Sequence, residues 1–334
     1  MKISVIIPMY NPGREIVRCF KSLENQTFSD FELILIDDGS KDSAYKAVKK
    51  YINGSEALKA KANLVRQENA GVALTRNRGI EMAQGEFLAF IDQDDFIAKD
   101  YLENLYNAAI DYKDSEGQGS TADIVVSGYE RVRSDGRIIL KRDVKDAPWT
   151  KYTMITPWAH LYRREFILSN QIRFLDTKIG EDVYFNLPAY TYTDKVVILK
   201  DRGYRWFYNE KSVSNVSHKT LDSKLDILFL LDSIYDKLAQ VDANDSEEMQ
   251  YYYMRFVCWF MLYATRGSKK ENILDAYEKV FGWLRSKYPN YRKCRYRGFR
   301  MPNGEEISFH KYVAAFYLLE RMHLLLFVLK LFGK

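Results

Sequence analysis

The chain has 334 residues, of which 47% are hydrophobic and 28% charged, with 17 Gly, 7 Pro and 3 Cys and a formal net charge of +5. This is the composition of a globular protein of about two domains, and it excludes collagen-like, disordered and disulfide-framework chains. The charge is uneven: residues 251–334 hold 16 Lys/Arg against 6 Asp/Glu, which leaves residues 1–250 with 34 against 39.

The first hundred residues alternate strand and helix patterns. Ile3–Ile7 is a β-branched run stopped by Pro8 and predicts a strand. After the Asn11-Pro12-Gly13 breaker, Ile16, Val17, Phe20 and Leu23 form a helical stripe. Phe31–Ile36 predicts a second strand, ending at Asp37-Asp38-Gly39-Ser40. A helix follows to about Tyr51, with Ser40 or Asp42 as its N-cap. Asn63–Gln67, Gly71–Ala83 and Glu86–Ile91 predict strand, helix and strand, the last ending at Asp92-Gln93-Asp94-Asp95. Four strand-then-helix units predict an α/β fold with a mostly parallel sheet and helices on both faces. Further on come a helix over Tyr101–Tyr112, a strand over Ile124–Tyr129, and hairpins turning at Ser134-Asp135-Gly136 and around Lys200–Gly203. From Leu221 the chain reads as helical and basic, so two regions are expected, 1–220 and 221–334. No signal peptide is read ahead of the first strand, and no apolar run reaches the length of a membrane-spanning helix.

Two acidic clusters, Asp37-Asp38 and Asp92-x-Asp94-Asp95, end predicted strands. In an open parallel α/β sheet, ligands bind outside the carboxyl ends of the strands, so both clusters are expected in one crevice. Carboxylates gathered there repel unless something positive lies between them. A hard divalent cation, Mn²⁺ or Mg²⁺, takes oxygen ligands from one or two carboxylates and from substrate phosphates. The alternative is that these are loop aspartates capping helices. No G-x-x-x-x-G-K-[ST] occurs and no G-x-G-x-x-G follows the first strand, which excludes a P-loop and argues against a dinucleotide site. The turn Pro8–Gly13 is suited to hold a base against main chain and Tyr10.

The run Ser4–Asn11, then Asp37-Asp38-Gly39-Ser40, Asn69-x-Gly71, Arg76-Asn77-x-Gly79, Asp92-x-Asp94-Asp95 and Gly180-Glu181-Asp182 resembles the inverting nucleotide-sugar glycosyltransferases of family 2, which have the GT-A fold. The resemblance covers roughly residues 1–220, and it is nearest to bacterial transferases of capsule, exopolysaccharide or O-antigen assembly. It implies that Pro8, Tyr10 and Asp38 hold the nucleotide base, with Asp37 nearby. Asn69, Gly71 and Arg76 line the nucleotide and sugar pocket, and Asp92 faces the ribose or sugar. Asp94, with Asp95 close by and His218 arriving later in the chain, binds the metal at the diphosphate; an exposed loop histidine is the alternative for His218. Asp182 is the catalytic base, the alternative being an acid placed at a helix N-terminus. Glu181, Trp158 and His160 are expected at the acceptor, with Arg163 or Arg164 near phosphate; a packed Trp158 with solvated arginines is the alternative. UDP is the expected nucleotide.

Residues 285–300 interleave seven Lys/Arg with Tyr288, Tyr291, Tyr296 and Phe299. No RNA-binding motif accompanies them, so no nucleic-acid partner is expected. Together with an apolar helix over Lys311–Leu331, they suit a cytoplasmic protein held on the inner face of the membrane, acting on a glycan acceptor linked to lipid. The alternative is that this helix packs on protein, in its own subunit or a second one. Competing functions are a nucleotidyltransferase that forms sugar nucleotides, which needs a Gly-rich basic loop after strand one, and a non-catalytic glycan- or nucleotide-binding module.

Overall fold

The computed structural model describes residues 1–41, 43–209, 221 and 226–333. The chain divides into two compact units. The first comprises Met1–Lys145, Met154–Asp176 and Glu181–Asn209; the second comprises Asp146–Thr153, Thr177–Gly180 and Glu210–Lys334.

Unit one is built on a mixed sheet with the order β3-β2-β1-β4-β8-β6-β9-β5, and β7 pairs β6 at one side. Four strands run parallel: β1 (Ile3–Met9), β2 (Phe31–Asp38), β3 (Ala62–Gln67) and β4 (Phe87–Phe90). Every residue of β1, β2 and β4 is buried, as a parallel strand covered on both faces requires. The remaining strands are β5 (Phe96–Ile97), β6 (Ile124–Val132), β7 (Ile138–Arg142), β8 (His160–Arg163) and β9 (Val196–Phe207). β8 runs antiparallel to both β4 and β6, so β6 and β4 share a direction, and β9 is parallel to β6. The carboxyl ends of β1, β2, β4, β6 and β9 therefore lie along one edge. The order reverses between β1 and β4, the switch point where open α/β sheets leave a crevice.

The helices are α1 (Ile16–Glu24), α2 (Ala44–Gly54), α3 (Val72–Met82), α4 (Tyr101–Ile110), α5 (Arg164–Ser169) and α6 (Glu181–Thr191). α2 begins after Ser43, and the Ser40 hydroxyl instead accepts the Asn11 N–H at 2.9 Å, so Ser40 is no helix cap. α3 lies close on β1 because Gly79 has no side chain: a Cβ there would meet Ile6 Cγ2 at 2.4 Å. That approach brings Arg76, one turn earlier, to the carboxyl edge.

The hairpin expected around Lys200–Gly203 is absent. β9 runs through it, pairing Leu199 with Ser127 and then Tyr204 with Tyr129, five steps against two on β6. Three extra residues bulge out where a polar Lys-Asp-Arg-Gly run imitates a turn. Gly128 makes room opposite, since a Cβ there would meet the Arg142 carbonyl oxygen at 2.2 Å.

Unit two is helical: α7 (Ile227–Ala239), α8 (Glu247–Ala264), α9 (Lys270–Lys287), α10 (Ile307–Arg321) and α11 (Leu325–Leu331). The single helix expected over Lys311–Leu331 is two, bent by 115°. His323 takes a left-handed φ of 60°, its N–H reaches the Glu320 carbonyl at 3.0 Å, and the Leu324 N–H reaches the Leu319 carbonyl at 2.9 Å. These two bonds are a Schellman cap with histidine in the place glycine usually fills. Among the described residues no single helix is long and apolar enough to cross a membrane. The basic-aromatic stretch is largely turned inward: Tyr288 and Tyr291 are buried, Arg292 pairs with Glu320, and Arg295 pairs with Glu247 at 3.1 Å and Glu248 at 2.6 Å.

Candidate active site

The carboxyl edge of unit one is laced by short polar contacts. Asp37, buried, pairs with Arg66 at 3.0 Å. Asp38 Oδ1 accepts from the Gln67 side chain and the Ala70 N–H, both at 2.8 Å, and Oδ2 accepts from the Gly71 N–H at 2.9 Å. The Asn69 amide returns a bond to the Asp38 carbonyl at 2.8 Å. Asp38 is 4% exposed. The direct base contact expected of it is therefore corrected to a positioning one: its carboxylate shapes the 69–71 loop. Gly71 opens α3 with φ of 89°, and nothing lies within 4 Å of where its Cβ would be. Pro8 pairs with Ile36 just before β1 ends at Met9, and Tyr10 beyond it is 41% exposed.

Arg76 is the hub. It lies buried on α3, pairs with Asp92 at 2.8 Å and with Glu181 at 3.5 Å, and stacks over Phe174 at 5.3 Å. Burial works against its charge, but Asp92, Glu181 and Asp182 outweigh that and raise its pKa. Its neighbour Asn77 clamps the Phe174 backbone with two bonds of 2.8 Å. Through Arg76 the acid loop after β4 and the start of α6 become one cluster, which unites Asp92, Glu181 and Asp182.

The acids in this cluster are held uneasily. Burial first, then the Asp92 charge, push the Asp94 carboxyl above its ordinary range. The Asn209 amide stands 3.4 Å from Asp94 Oδ2. Burial and then the Glu181 charge push Asp182 up to about 7, although its Oδ1 accepts the Val183 N–H at 2.8 Å. Asp95 differs in kind. It is 1% exposed, its Oδ2 accepts the Tyr204 hydroxyl at 2.6 Å and its Oδ1 the Phe207 N–H at 2.8 Å. The metal role expected of Asp95 is corrected: it points into the fold and ties the acid loop to β9. The Tyr204 hydroxyl also meets the Asp92 N–H at 3.2 Å.

Trp158 takes the packed alternative, and the acceptor role expected of His160 is corrected. Trp158, 6% exposed, stacks on Tyr204 at 4.8 Å and 11°, so it supports the acid loop from within. His160, 1% exposed, holds the Trp158 carbonyl through Nδ1 at 2.8 Å and Tyr190 through Nε2. Burial pushes its pKa down to about 4, so the ring is neutral. Arg163 pairs with Asp123 at 2.6 Å and lies opposite Phe87, where β4 begins, so it occupies the far edge of the sheet. His218 lies outside the described residues.

Four residues contribute in roles that the sequence reading did not assign them. Gln93 doubly bonds the Tyr10 main chain, accepting its N–H at 2.8 Å and donating to its carbonyl at 3.1 Å. Asn11, at φ of 44°, accepts the Lys41 N–H at 2.9 Å and joins the first two loops. Ser40 completes that junction. Arg18 reaches the Asp94 carbonyl at 2.8 Å and lies 3.5 Å from the Phe207 ring centre. The asparagine in a breaker and the glutamine between acids were the available signals.

Among the described residues no three His, Cys, Asp or Glu side chains converge as a ready cation cage. The donor set nevertheless fits a hard cation held mainly by a ligand's phosphates. Asp94 is crowded by a like charge, which is the state a bound divalent cation relieves.

Residues 4–168 match the family described as Glycosyl transferase family 2. Glycosyltransferase GlyA of Streptococcus pneumoniae is 30% identical over 64% of this chain and 32% of its own, so the chain spans about a third of that relative's length. S. aureus TarS 1-349 in complex with UDP-GlcNAc superposes with a TM-score of 0.56 at 21% identity, over 92% of this chain and 100% of that one. The mannosyltransferase PcManGT from Pyrobaculum calidifontis, in complex with GDP-Man and Mn²⁺, gives 0.52 at 14% identity over 96% of this chain and 87% of that one. At such identities the two structures speak for the fold alone.

Proposed function

The chain belongs to glycosyl transferase family 2, and from that premise we propose that it moves a sugar from a nucleotide-sugar donor to a hydroxyl of a glycan acceptor, with inversion. The observation that carries the proposal is the Arg76 bridge, which joins the acid loop to the pair Glu181-Asp182 at the switch point.

The donor nucleotide lies along the turn after β1, against Pro8 and Tyr10, with the Asp38-shaped loop of Asn69 and Gly71 beside it. Asp92 faces the sugar and is held there by Arg76. Mn²⁺ or Mg²⁺, when bound, would be held by Asp94 and would neutralise the charge gathering on the leaving diphosphate. The acceptor oxygen forms its bond to the anomeric carbon as the carbon–phosphate-oxygen bond breaks on the opposite face. Its proton passes to an Asp182 oxygen. A base with a pKa near the working pH is ionised often enough and basic enough for that transfer. Glu181, beside it, meets the acceptor. We take the donor to be a UDP-sugar, since TarS binds UDP-GlcNAc. We take the acceptor to be carried on a membrane lipid in cell-surface polysaccharide assembly.

The test is thermal unfolding with UDP-GlcNAc or GDP-Man, each with and without Mn²⁺. Ligand at a hundred times its dissociation constant stabilises by about 2.7 kcal/mol. The UDP-sugar is expected to raise Tm, more with Mn²⁺, and Asp94→Asn is expected to lose the Mn²⁺-dependent part. Absence of a shift with either donor would sink the reading.

A further inference from the structure

We propose that the outward face of α10 and α11 is a docking surface for an anionic lipid bilayer. This deepens the proposed function by naming how the chain meets the membrane that carries its acceptor, and its usefulness rests on that reading.

The two helices are split by burial. Val313, Phe316, Tyr317, Leu325 and Leu329 are buried within unit two. On the other side Tyr312, Leu318, Met322, Leu324, Phe327 and Leu331 are 43–67% exposed. Large apolar side chains exposed singly are ordinary, but six along one bent helix pair form a patch that calls for a partner.

Charge identifies that partner. Residues 307–333 contain one acid, Glu320. It is 1% exposed, paired with Arg292 and bonded by the Tyr291 hydroxyl at 2.9 Å. The charges left at the surface of this stretch are Lys311, Arg321 and Lys330. A face of aromatic and aliphatic side chains whose own residues supply cations and no accessible anion has the composition of an interfacial helix on acidic lipid. A second copy of the same face would bring its cations against these, which like-charge repulsion disfavours. α9 of the same unit shows the ordinary alternative, with Lys279 paired to Asp275 at 2.7 Å.

The pair lies on a bilayer and does not cross it. At 1.5 Å per residue, a 15-residue and a 7-residue helix bent by 115° each fall short of a hydrocarbon core of roughly 30 Å. Their inner faces are also committed to unit two.

The experiment is flotation of the full chain with vesicles of mixed phosphatidylglycerol and phosphatidylcholine, or of phosphatidylcholine alone, at low and high salt. Wild type is expected to float with the anionic vesicles at low salt, and to do so at least about tenfold more weakly in high salt or on the neutral vesicles. Phe327→Glu/Leu331→Glu, both exposed, is expected to keep its melting temperature and lose binding. Lys311→Gln/Arg321→Gln leaves the apolar face intact and is expected to weaken binding at least about tenfold. Failure of wild type to float with anionic vesicles overturns the proposal. So does a dimer in sedimentation that Phe327→Glu/Leu331→Glu dissolves without any loss of vesicle binding. Donor-induced thermal shifts, measured without vesicles, report separately on the transferase reading.

Discussion

The acids at the carboxyl edge of unit one are treated differently from the buried acids of unit two. Among the described residues of unit two, the buried acids are answered by cations. Glu305 Oε2 takes Arg255 at 2.9 Å and the Trp149 indole N–H at 3.0 Å, and Glu320 takes Arg292 and Tyr291. At the carboxyl edge of unit one, Asp92, Glu181 and Asp182 gather on the Arg76 guanidinium, and burial and mutual repulsion raise the pKa of Asp94 and Asp182, whereas Asp37 and Asp123 of the same unit are paired as in unit two. Paired acids are scaffold. Acids left short of positive charge mark where a ligand must complete the electrostatics, which is why strained titration gathers at functional sites.

The largest test of that contrast is Asp182→Asn. Transfer is expected to fall by about 10²–10⁴-fold while donor binding, read by thermal shift, survives. In wild type the rate should rise with pH up to about 7 and then level, because the base must be ionised. The folded protein holds this proton more tightly than an unfolded chain does. Its stabilising contribution is therefore present at low pH and lost as pH rises through about 7. Asp182→Asn should accordingly gain more Tm over wild type at pH 8 than at pH 5.

Next in size is Arg76→Met. Leaving Asp92 and Glu181 uncompensated is expected to cost about 3–5 kcal/mol in urea unfolding and to abolish the donor shift. Glu320→Gln in unit two is expected to destabilise as well, but to leave the transfer rate per folded molecule unchanged. Equal loss of transfer in both variants would erase the distinction between the units. The smallest effect is Gln93→Ala. Two hydrogen bonds to the Tyr10 main chain contribute about 1 kcal/mol each, so donor affinity should drop several-fold with little change in the limiting rate.

Much of this was legible in the sequence. The apolar runs of β1, β2 and β4 and the acids that end them predicted a shared edge, because a parallel sheet sends those ends one way. What escaped was the direction of individual side chains. Asp94 and Asp95 are neighbours, yet Asp95 turns inward to Tyr204 and Phe207. Trp158 and His160 read as ligand contacts, with a packed Trp158 as the alternative, because the sequence does not show what covers them; they sit in a core whose other half comes from β9 and α6. The tail's basic residues looked free because their acids, Glu247, Glu248 and Glu320, lie far away in the chain.

The bulge at Lys200–Gly203 acts as a phase shifter. Strand side chains alternate sides with a period of two, so an odd insertion exchanges inside for outside. Before it, Leu199 stands beside Ser127; after it, Tyr204 rather than Arg205 is turned toward Asp95. The odd count of extra residues is thus what hands the phenol, and not the guanidinium next to it, to the acid loop as its anchor, although none of the extra residues belongs to that loop.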